Sequence, residues 1–311
     1  MHTARASRAV VVVICVVLLV NGISAARQSR DITGLISRAD AGDSGAEEQL
    51  LRFLVHQDVT VPGFNAALLW LRSRVAERDE PHAEVVLGYL YEHGRGVTRD
   101  YAKAAANYQA AALHEDHLAE NNLAFLYQRG LGVPRDPQRA YELYLASALQ
   151  NDVTAQCNLA TMYYTGAGVE RDDVQAAHWF RAAAQLGYAA AQHDVAVFYA
   201  QGVGVSANLK EAARWEELAA RQGYGLAEAG LGMLYESGKG VPLDYVSAYA
   251  WYARAAESGD NAAGLRLKSL AKIMTARQID QARKYAASLS ASASRIEEAN
   301  ASRAAVRSGE E

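Results

Sequence analysis

The sequence has little of several features that define common protein classes. Its 311 residues include only two cysteines, Cys15 and Cys157, and only 8% are aromatic. Two cysteines so far apart exclude a disulfide-rich scaffold. A net charge of −4 gives no basic surface, so no nucleic-acid partner is expected. An apolar fraction of 50% excludes a disordered acidic protein.

Alanine is the residue that the sequence has in excess. The chain holds 62 alanines beside 24 glycines and five prolines. Alanine is the best helix former and a poor strand former, and its small side chain lets helices approach closely. The composition therefore predicts an all-α protein.

One long apolar run, over residues 9–20, lies close to the N-terminus. Arg5 and Arg8 precede it, and Ala25 and Ala26 follow shortly after its end. A positive region, an apolar stretch and small residues are the three parts of a secretory signal peptide. The run of 12 residues is too short to span about 30 Å of hydrocarbon as a helix, although an uncleaved anchor is the alternative. We predict a periplasmic or secreted protein, touching a membrane only through partners or such an anchor.

A pair of glycines recurs every 36 residues along the chain. The first glycines of the five pairs are Gly94, Gly130, Gly166, Gly202 and Gly238. A tyrosine, an aliphatic residue and an alanine precede each by 3, 7 and 11 positions, which places all three on one helical face. The glycines supply a turn, and an Asp or Asn then caps a second helix. Each unit is thus a helix-turn-helix that must stack on its neighbours.

The repeated pattern resembles a known family. The stretches 83–91 and 251–259 are similar to the first and second helices of Sel-one-like repeats, which are relatives of the tetratricopeptide repeat. The resemblance implies a right-handed α-solenoid of helix-turn-helix repeats. It also implies a role in protein interaction, including envelope assembly or the regulation of membrane sensor proteins.

The repeats divide the chain into segments. A degenerate unit without the glycine pair precedes the five copies, and Thr275 with Gln278 has capping-box spacing for a closing helix. The predicted segments are a signal peptide (1–26), a linker (27–45), an N-terminal capping repeat (46–82), five 36-residue repeats (83–262), C-terminal capping helices (263–289) and a disordered tail (290–311).

No catalytic, cofactor or metal site is predicted. The dense cluster 114–117, His-Glu-Asp-His, falls in an inter-repeat turn, where a solvated turn is favoured over a metal site. Helices flank the glycine pairs on both sides, so these pairs do not form a dinucleotide-binding loop. Cys157 is either a half-buried small apolar residue or a thiol facing the groove.

The first helices should line the concave face of such a solenoid, and their variable positions are candidates for partner binding. Stacked Asn side chains can hold an extended peptide, and aromatic residues can anchor it. The alternative is that these residues only solvate an exposed face. The candidates are Tyr89, Glu92, Asn121, Asn122, Phe125, Arg129, Asn158, Thr161, Tyr164, His193 and Asp194.

We therefore predict a non-catalytic scaffold that binds a protein or an extended peptide on its concave face. A protein that binds peptidoglycan or another glycan is the alternative. A β-lactamase-like cell-wall enzyme is a further one, which the single cysteine outside the signal disfavours, since the relatives with that association carry a cysteine pair in each repeat. Fold alone does not decide among these functions.

Overall fold

The computed structural model describes residues 31–77 and 80–290. The predicted signal peptide (1–26) and residues 291–311 of the predicted tail (290–311) lie outside these residues, whereas Ser290, the first residue of that tail, is helical. The described chain forms 15 helices and no strand, which is the predicted α-solenoid class. It divides into two compact units, of which the first ends at Ser147 and the second begins at Ala148. None of the described helices is both long and apolar enough to cross a membrane.

The first unit begins with three helices before the regular repeats. Its helices are α1 (31–40), α2 (Ser44–His56), α3 (Phe64–Glu77), α4 (Pro81–His93), α5 (Tyr101–Ala112), α6 (His117–Arg129) and α7 (Pro137–Leu149), the last of which ends in the second unit. Apolar side chains of α1 to α4 form one core, in which Leu50, Leu54, Phe64 and Leu71 are at most 1% exposed.

Residues 31–40 differ from the prediction of a linker over 27–45. They form α1, which buries Ile32 and Ala39 in the core of the first unit. Ile32, Leu35, Ile36 and Ala39 have the spacing of one helical face, and the last three follow the first by 3, 4 and 7 positions. This apolar pattern spans one short helix and is not repeated, so the 36-residue period gives no indication of it.

The second unit continues the alternation of helices. Its helices are α8 (Val153–Thr165), α9 (Asp173–Gln185), α10 (Ala189–Gln201), α11 (Leu209–Arg221), α12 (Gly225–Ser237), α13 (Tyr245–Glu257), α14 (Asn261–Leu270) and α15 (276–290). We call α4, α6, α8, α10 and α12 the first helices, and α5, α7, α9, α11 and α13 the second helices. Trp251 and Tyr252 of α13 are both 1% exposed and belong to the core.

The glycine pair makes the turn for two different reasons. The first glycine of each pair ends its helix in the left-handed region; Gly202, for example, has a φ of 74° and donates to the carbonyl of Phe198. The second glycine allows close packing, because a Cβ at Gly204 would overlap the backbone of Asp173 at the start of α9. Asn208 then accepts hydrogen bonds from the backbone of Lys210 and Glu211 and caps α11 as predicted.

The C-terminal helix α15 has the predicted cap. Thr275 and Gln278 exchange hydrogen bonds: the Thr275 backbone N–H donates to Gln278 Oε1 over 2.9 Å, and the Gln278 N–H donates to Thr275 Oγ1 over 3.3 Å. Ala282, Ala286 and Leu289 are buried and pack on the preceding helices. This stripe gives the second unit an apolar C-terminal closure.

Candidate functional site

The predicted binding residues all lie on first helices, and none of them is fully buried. We call the surface that the first helices form within each unit the first-helix face of that unit. The first unit contributes Tyr89 and Glu92 from α4, and Asn121, Asn122, Phe125 and Arg129 from α6. The second unit contributes Asn158, Thr161 and Tyr164 from α8, and His193 and Asp194 from α10.

In the first unit, the side chain of Tyr108, which lies on the second helix α5, extends to the polar residues of the first-helix face. Tyr108 is fully buried, and its hydroxyl donates a hydrogen bond to Glu92 Oε2 over 2.7 Å. Burial, and then the negative charge of Glu92, raise the pKa of Tyr108, whereas a hydrogen bond with Asn122 lowers it. Asn121 Nδ2 donates in turn to Asn122 Oδ1 over 3.2 Å. Glu92 and Asn122 are therefore oriented by the protein itself.

Aromatic side chains of α4 and α6 lie on the same face as these polar residues. Phe125 is 36% exposed, and the guanidinium of Arg129 lies 5.8 Å from its ring centroid. The rings of Tyr89 and His93 are 4.2 Å apart. Exposed rings held by such contacts can pack against a partner with little loss of conformational freedom.

In the second unit, α8 presents Tyr164, which is 39% exposed. Its ring lies 5.4 Å from that of Phe198, and the guanidinium of Arg171 lies 5.4 Å from its centroid. Thr161 donates its hydroxyl back to the carbonyl of Cys157 over 2.9 Å, which holds it against its own helix. Tyr164 is thus the anchor on α8.

Cys157 is a half-buried free thiol, which agrees with the first of its two predicted descriptions. Burial raises its pKa to about 12, and the carboxylates of Asp194 and Asp152 add to the effect. Because the thiolate is the nucleophile and the metal ligand, we expect this cysteine to react slowly near neutral pH.

The position of Tyr108 on its second helix recurs with the 36-residue period. The five residues are Tyr108, Tyr144, Phe180, Glu216 and Tyr252. Where the residue 16 positions earlier is a glutamate or a glutamine, this residue is a tyrosine that donates to it: Tyr144 to Gln128 over 3.4 Å and Tyr252 to Glu236 over 2.6 Å. The third and fourth repeats have Tyr164 and Ala200 at the earlier position, and they carry Phe180 and Glu216 instead.

The fourth repeat breaks the pattern with a buried carboxylate. Glu216 is 5% exposed, and His193 Nδ1 lies 3.0 Å from its Oε2 and 3.2 Å from its Oε1. The hydrogen bond with Glu216 raises the pKa of His193, while burial raises the pKa of Glu216 and of the nearby Asp194. The ring of Tyr224 lies 5.7 Å from that of His193. The predicted pair on α10 thus belongs to a titratable cluster whose centre is on α11.

A cavity of about 160 Å³ opens beside this carboxylate, between α10, α11 and α12. Of the eight described residues that line it, Glu216 alone is charged. Its apolar lining consists of Ala196, Val197, Ala200, Ala212, Met233 and Leu234. The remaining lining residue is Gly230, where a Cβ would overlap Glu216 Oε1. The cavity lies where the fourth repeat lacks an aromatic ring at 216 and the fifth repeat lacks a side chain at 230.

Two residues of this site, Tyr108 and Glu216, were not among the predicted ones. Both lie on second helices, whose rows were read only as packing. The sequence does carry a signal for Glu216, because a charged residue there replaces an aromatic one found in the other four repeats.

The described residues contain no group of three or more His, Cys, Asp or Glu side chains that could hold a metal ion. In the cluster 114–117, Asp116 caps α6 by accepting from the backbone of Leu118 and Ala119. It also lies 3.4 Å from His82 Nδ1. These contacts give the cluster a structural role in the turn.

The chain belongs to the Sel1 repeat family. The family model matches five consecutive repeats, at residues 81–116, 117–152, 153–188, 189–224 and 225–260. These proteins generally serve as protein-interaction scaffolds, and their fold is typically non-catalytic. No curated protein matches the chain at a significant level.

Two solved structures of the same class resemble the chain. A protective antigen of uropathogenic Escherichia coli, described as displaying an SLR fold, is 30% identical with a TM-score of 0.72, over 82% of this chain and 55% of the antigen. A Sel1 repeat protein from Oxalobacter formigenes is 28% identical with a TM-score of 0.62, over 72% of this chain and 90% of that one. The chain therefore spans little more than half of the antigen's length.

Proposed function

We propose that the protein is an exported, non-catalytic scaffold that binds a protein or an extended peptide on its first-helix face. In the solenoid that the sequence predicts, this face is the concave one. The proposed compartment is the periplasm or the cell exterior, on the basis of the signal-peptide pattern in residues 1–26. A regulatory or assembly role in the envelope would follow from the partner that is bound.

One observation supports this proposal above the others. Within each unit, exposed apolar side chains of the first helices border polar groups that the second helices hold in place. Phe125 stands beside the Asn121–Asn122 pair in the first unit, and Met233, which is 51% exposed, stands beside Glu216 in the second. Exposed anchors next to oriented polar groups are the usual composition of a protein-binding surface.

Site-specific photo-cross-linking in the producing cell tests the proposal. A photoreactive phenylalanine replaces Phe125 in one variant and Met233 in another. The matched controls carry the same residue at Val174 of α9 and Leu218 of α11, which are 62% and 40% exposed but lie on second helices. We expect one discrete adduct at each first-helix position, identified by mass spectrometry, and none at the controls.

Equal cross-linking at the two kinds of position would contradict the assignment of the face. Fractionation of the same cells tests the compartment, because a cytoplasmic protein would refute export. Sedimentation with purified peptidoglycan tests the glycan-binding alternative. Pelleting that is lost when Phe125 and Tyr164 are replaced by alanine would favour that alternative over a protein partner.

A further inference from the structure

The fourth and fifth repeats together form a feature that a general binding face does not require. Glu216 occupies a position where the other repeats bury an aromatic ring, and Gly230 removes the side chain that would close the space above it. Two departures from the repeat thus act on the same volume. Together they produce the cavity of about 160 Å³ with a carboxylate at its floor.

The size of this cavity limits what can enter it. It is comparable with engineered cavities of roughly 150 Å³ that bind benzene. It is well below the 300–1,000 Å³ or so of pockets that enclose a drug-sized ligand. The cavity therefore has room for the end of one side chain.

The charge and the lining of the cavity limit the chemistry of that side chain. Glu216 is its one charged residue among the described lining, while Val197, Ala200 and Met233 provide an aliphatic wall. A cationic end group on an aliphatic stem complements both features. His193 already hydrogen-bonds to the carboxylate, so the planar two-pronged guanidinium of arginine would find its acceptors partly used. The point charge of a lysine ammonium needs a single free lone pair.

We propose that this cavity, which we call the Glu216 pocket, binds one lysine side chain of the protein partner. The ammonium is held by the Glu216 carboxylate, and the stem packs against Val197, Ala200 and Met233. This inference rests on the proposed function, because a bound partner supplies the lysine. It adds a specificity determinant, namely a basic residue at a fixed place in the bound segment.

Titration with small probes tests the pocket without the partner. Nα-acetyl-lysine methylamide is the ligand, and Nα-acetyl-norleucine methylamide is its uncharged counterpart with a stem of similar length. NMR follows the Gly230 amide and the Met233 methyl group at a pH of about 8, and a series at higher pH covers the raised pKa values of Glu216 and His193. We expect saturable shifts with the lysine probe and at least about tenfold weaker binding of the norleucine probe.

Variants on α11 and α12 assign the effect to the pocket. Glu216→Gln should weaken the lysine probe about tenfold or more and leave the norleucine probe unchanged. Glu211→Gln removes a carboxylate from the more exposed side of the same helix and should leave both affinities unchanged. Gly230→Ala is the second variant, because its Cβ displaces the carboxylate without removing the charge, and it should also weaken the lysine probe.

Equal binding of the two probes, or an unchanged affinity in both Glu216→Gln and Gly230→Ala, would overturn the proposal. An arginine probe that binds as tightly as the lysine probe would overturn the choice of lysine. These outcomes are separable from failure of the proposed function. A cross-linked partner at Met233 with no lysine binding refutes only the pocket, and lysine binding with no cross-linked partner refutes only the scaffold.

Discussion

Replacing Glu216 by phenylalanine should make the protein more stable. The substitution restores the ring that Phe180 provides in the preceding repeat. Phenylalanine is preferable to tyrosine here, because Ala200 stands 16 positions earlier and offers no side-chain acceptor for a hydroxyl. The ring would occupy the space of the present cavity, between Ala212 and Gly230.

The expected gain follows from two opposing contributions. Burying a phenyl ring stabilises by about 1.5–3 kcal/mol. His193 loses its acceptor, but its side chain remains 19% exposed, so water replaces part of that bond and the cost is about 1 kcal/mol. The net gain is about 1 kcal/mol, within the range of roughly 0.5–2 kcal/mol typical of substitutions toward a consensus residue. For a chain of this size, that corresponds to a rise in Tm of about 2–4 °C.

Thermal and urea unfolding followed by circular dichroism measure this change. Glu211→Phe on the same helix is the control, since its partly exposed site should leave stability within about 0.5 kcal/mol. A loss of 1 kcal/mol or more in Glu216→Phe would refute the reasoning, because it would show that the carboxylate is a required part of the packing. Binding of the lysine probe should disappear in the same variant.

The same substitution should also change how stability depends on pH. In the folded protein the pKa values of His193 and Glu216 are both raised from about 6.5 and 4.5. Groups with raised pKa values stabilise the fold while protonated, and this contribution is lost as the pH rises through the folded values. The wild-type protein should therefore lose more stability than Glu216→Phe between about pH 5 and 8. Asp194, whose pKa is also raised, and Tyr224 remain in both proteins, so only the difference between the two profiles is diagnostic.

Three other substitutions or reactions test the remaining structure. Tyr108→Phe should cost about 1 kcal/mol in urea unfolding through loss of the bond to Glu92, and an unchanged midpoint would contradict that bond. Gly204→Ala should cost on the order of 3 kcal/mol because its Cβ overlaps the backbone of α9, whereas Gly187→Ala, in open space, should cost only about 1–2 kcal/mol of backbone strain. Cys157 should react with a thiol reagent near pH 8 roughly a thousandfold more slowly than a free cysteine, and a fast reaction would show that the thiol is exposed.

The features that the sequence predicted well are those that recur locally. The turn at Gly202, the cap at Asn208 and the capping box at Thr275 each depend on residues within a few positions of one another. The family and the α-solenoid class follow from repeating such local signals five times. α1 was missed because its apolar positions occur once and have no second copy to reveal them.

The cavity was harder to predict because it results from two missing groups, an aromatic ring at position 216 and a side chain at position 230. Glu216 and Gly230 are 14 positions apart, and neither is unusual in its own helix. Their joint effect appears only when α11 and α12 are packed together. Asn122 shows the same limitation, since the sequence places it on the first-helix face but does not reveal that the hydroxyl of Tyr108 lies beneath it.

A repeat architecture explains how one unit can carry such a departure. Each repeat contacts mainly its neighbours, so the cost of an unfilled position in the fourth repeat stays local and does not weaken one shared core. The rings of Tyr252 in the next repeat and of Phe180 in the previous repeat are buried, and they stabilise the repeats on either side. The fourth repeat can thus exchange about 1 kcal/mol of packing for a charged cavity. By the same argument, the costs in unfolding free energy of two such exchanges in neighbouring repeats should not be additive, because the two repeats share an interface.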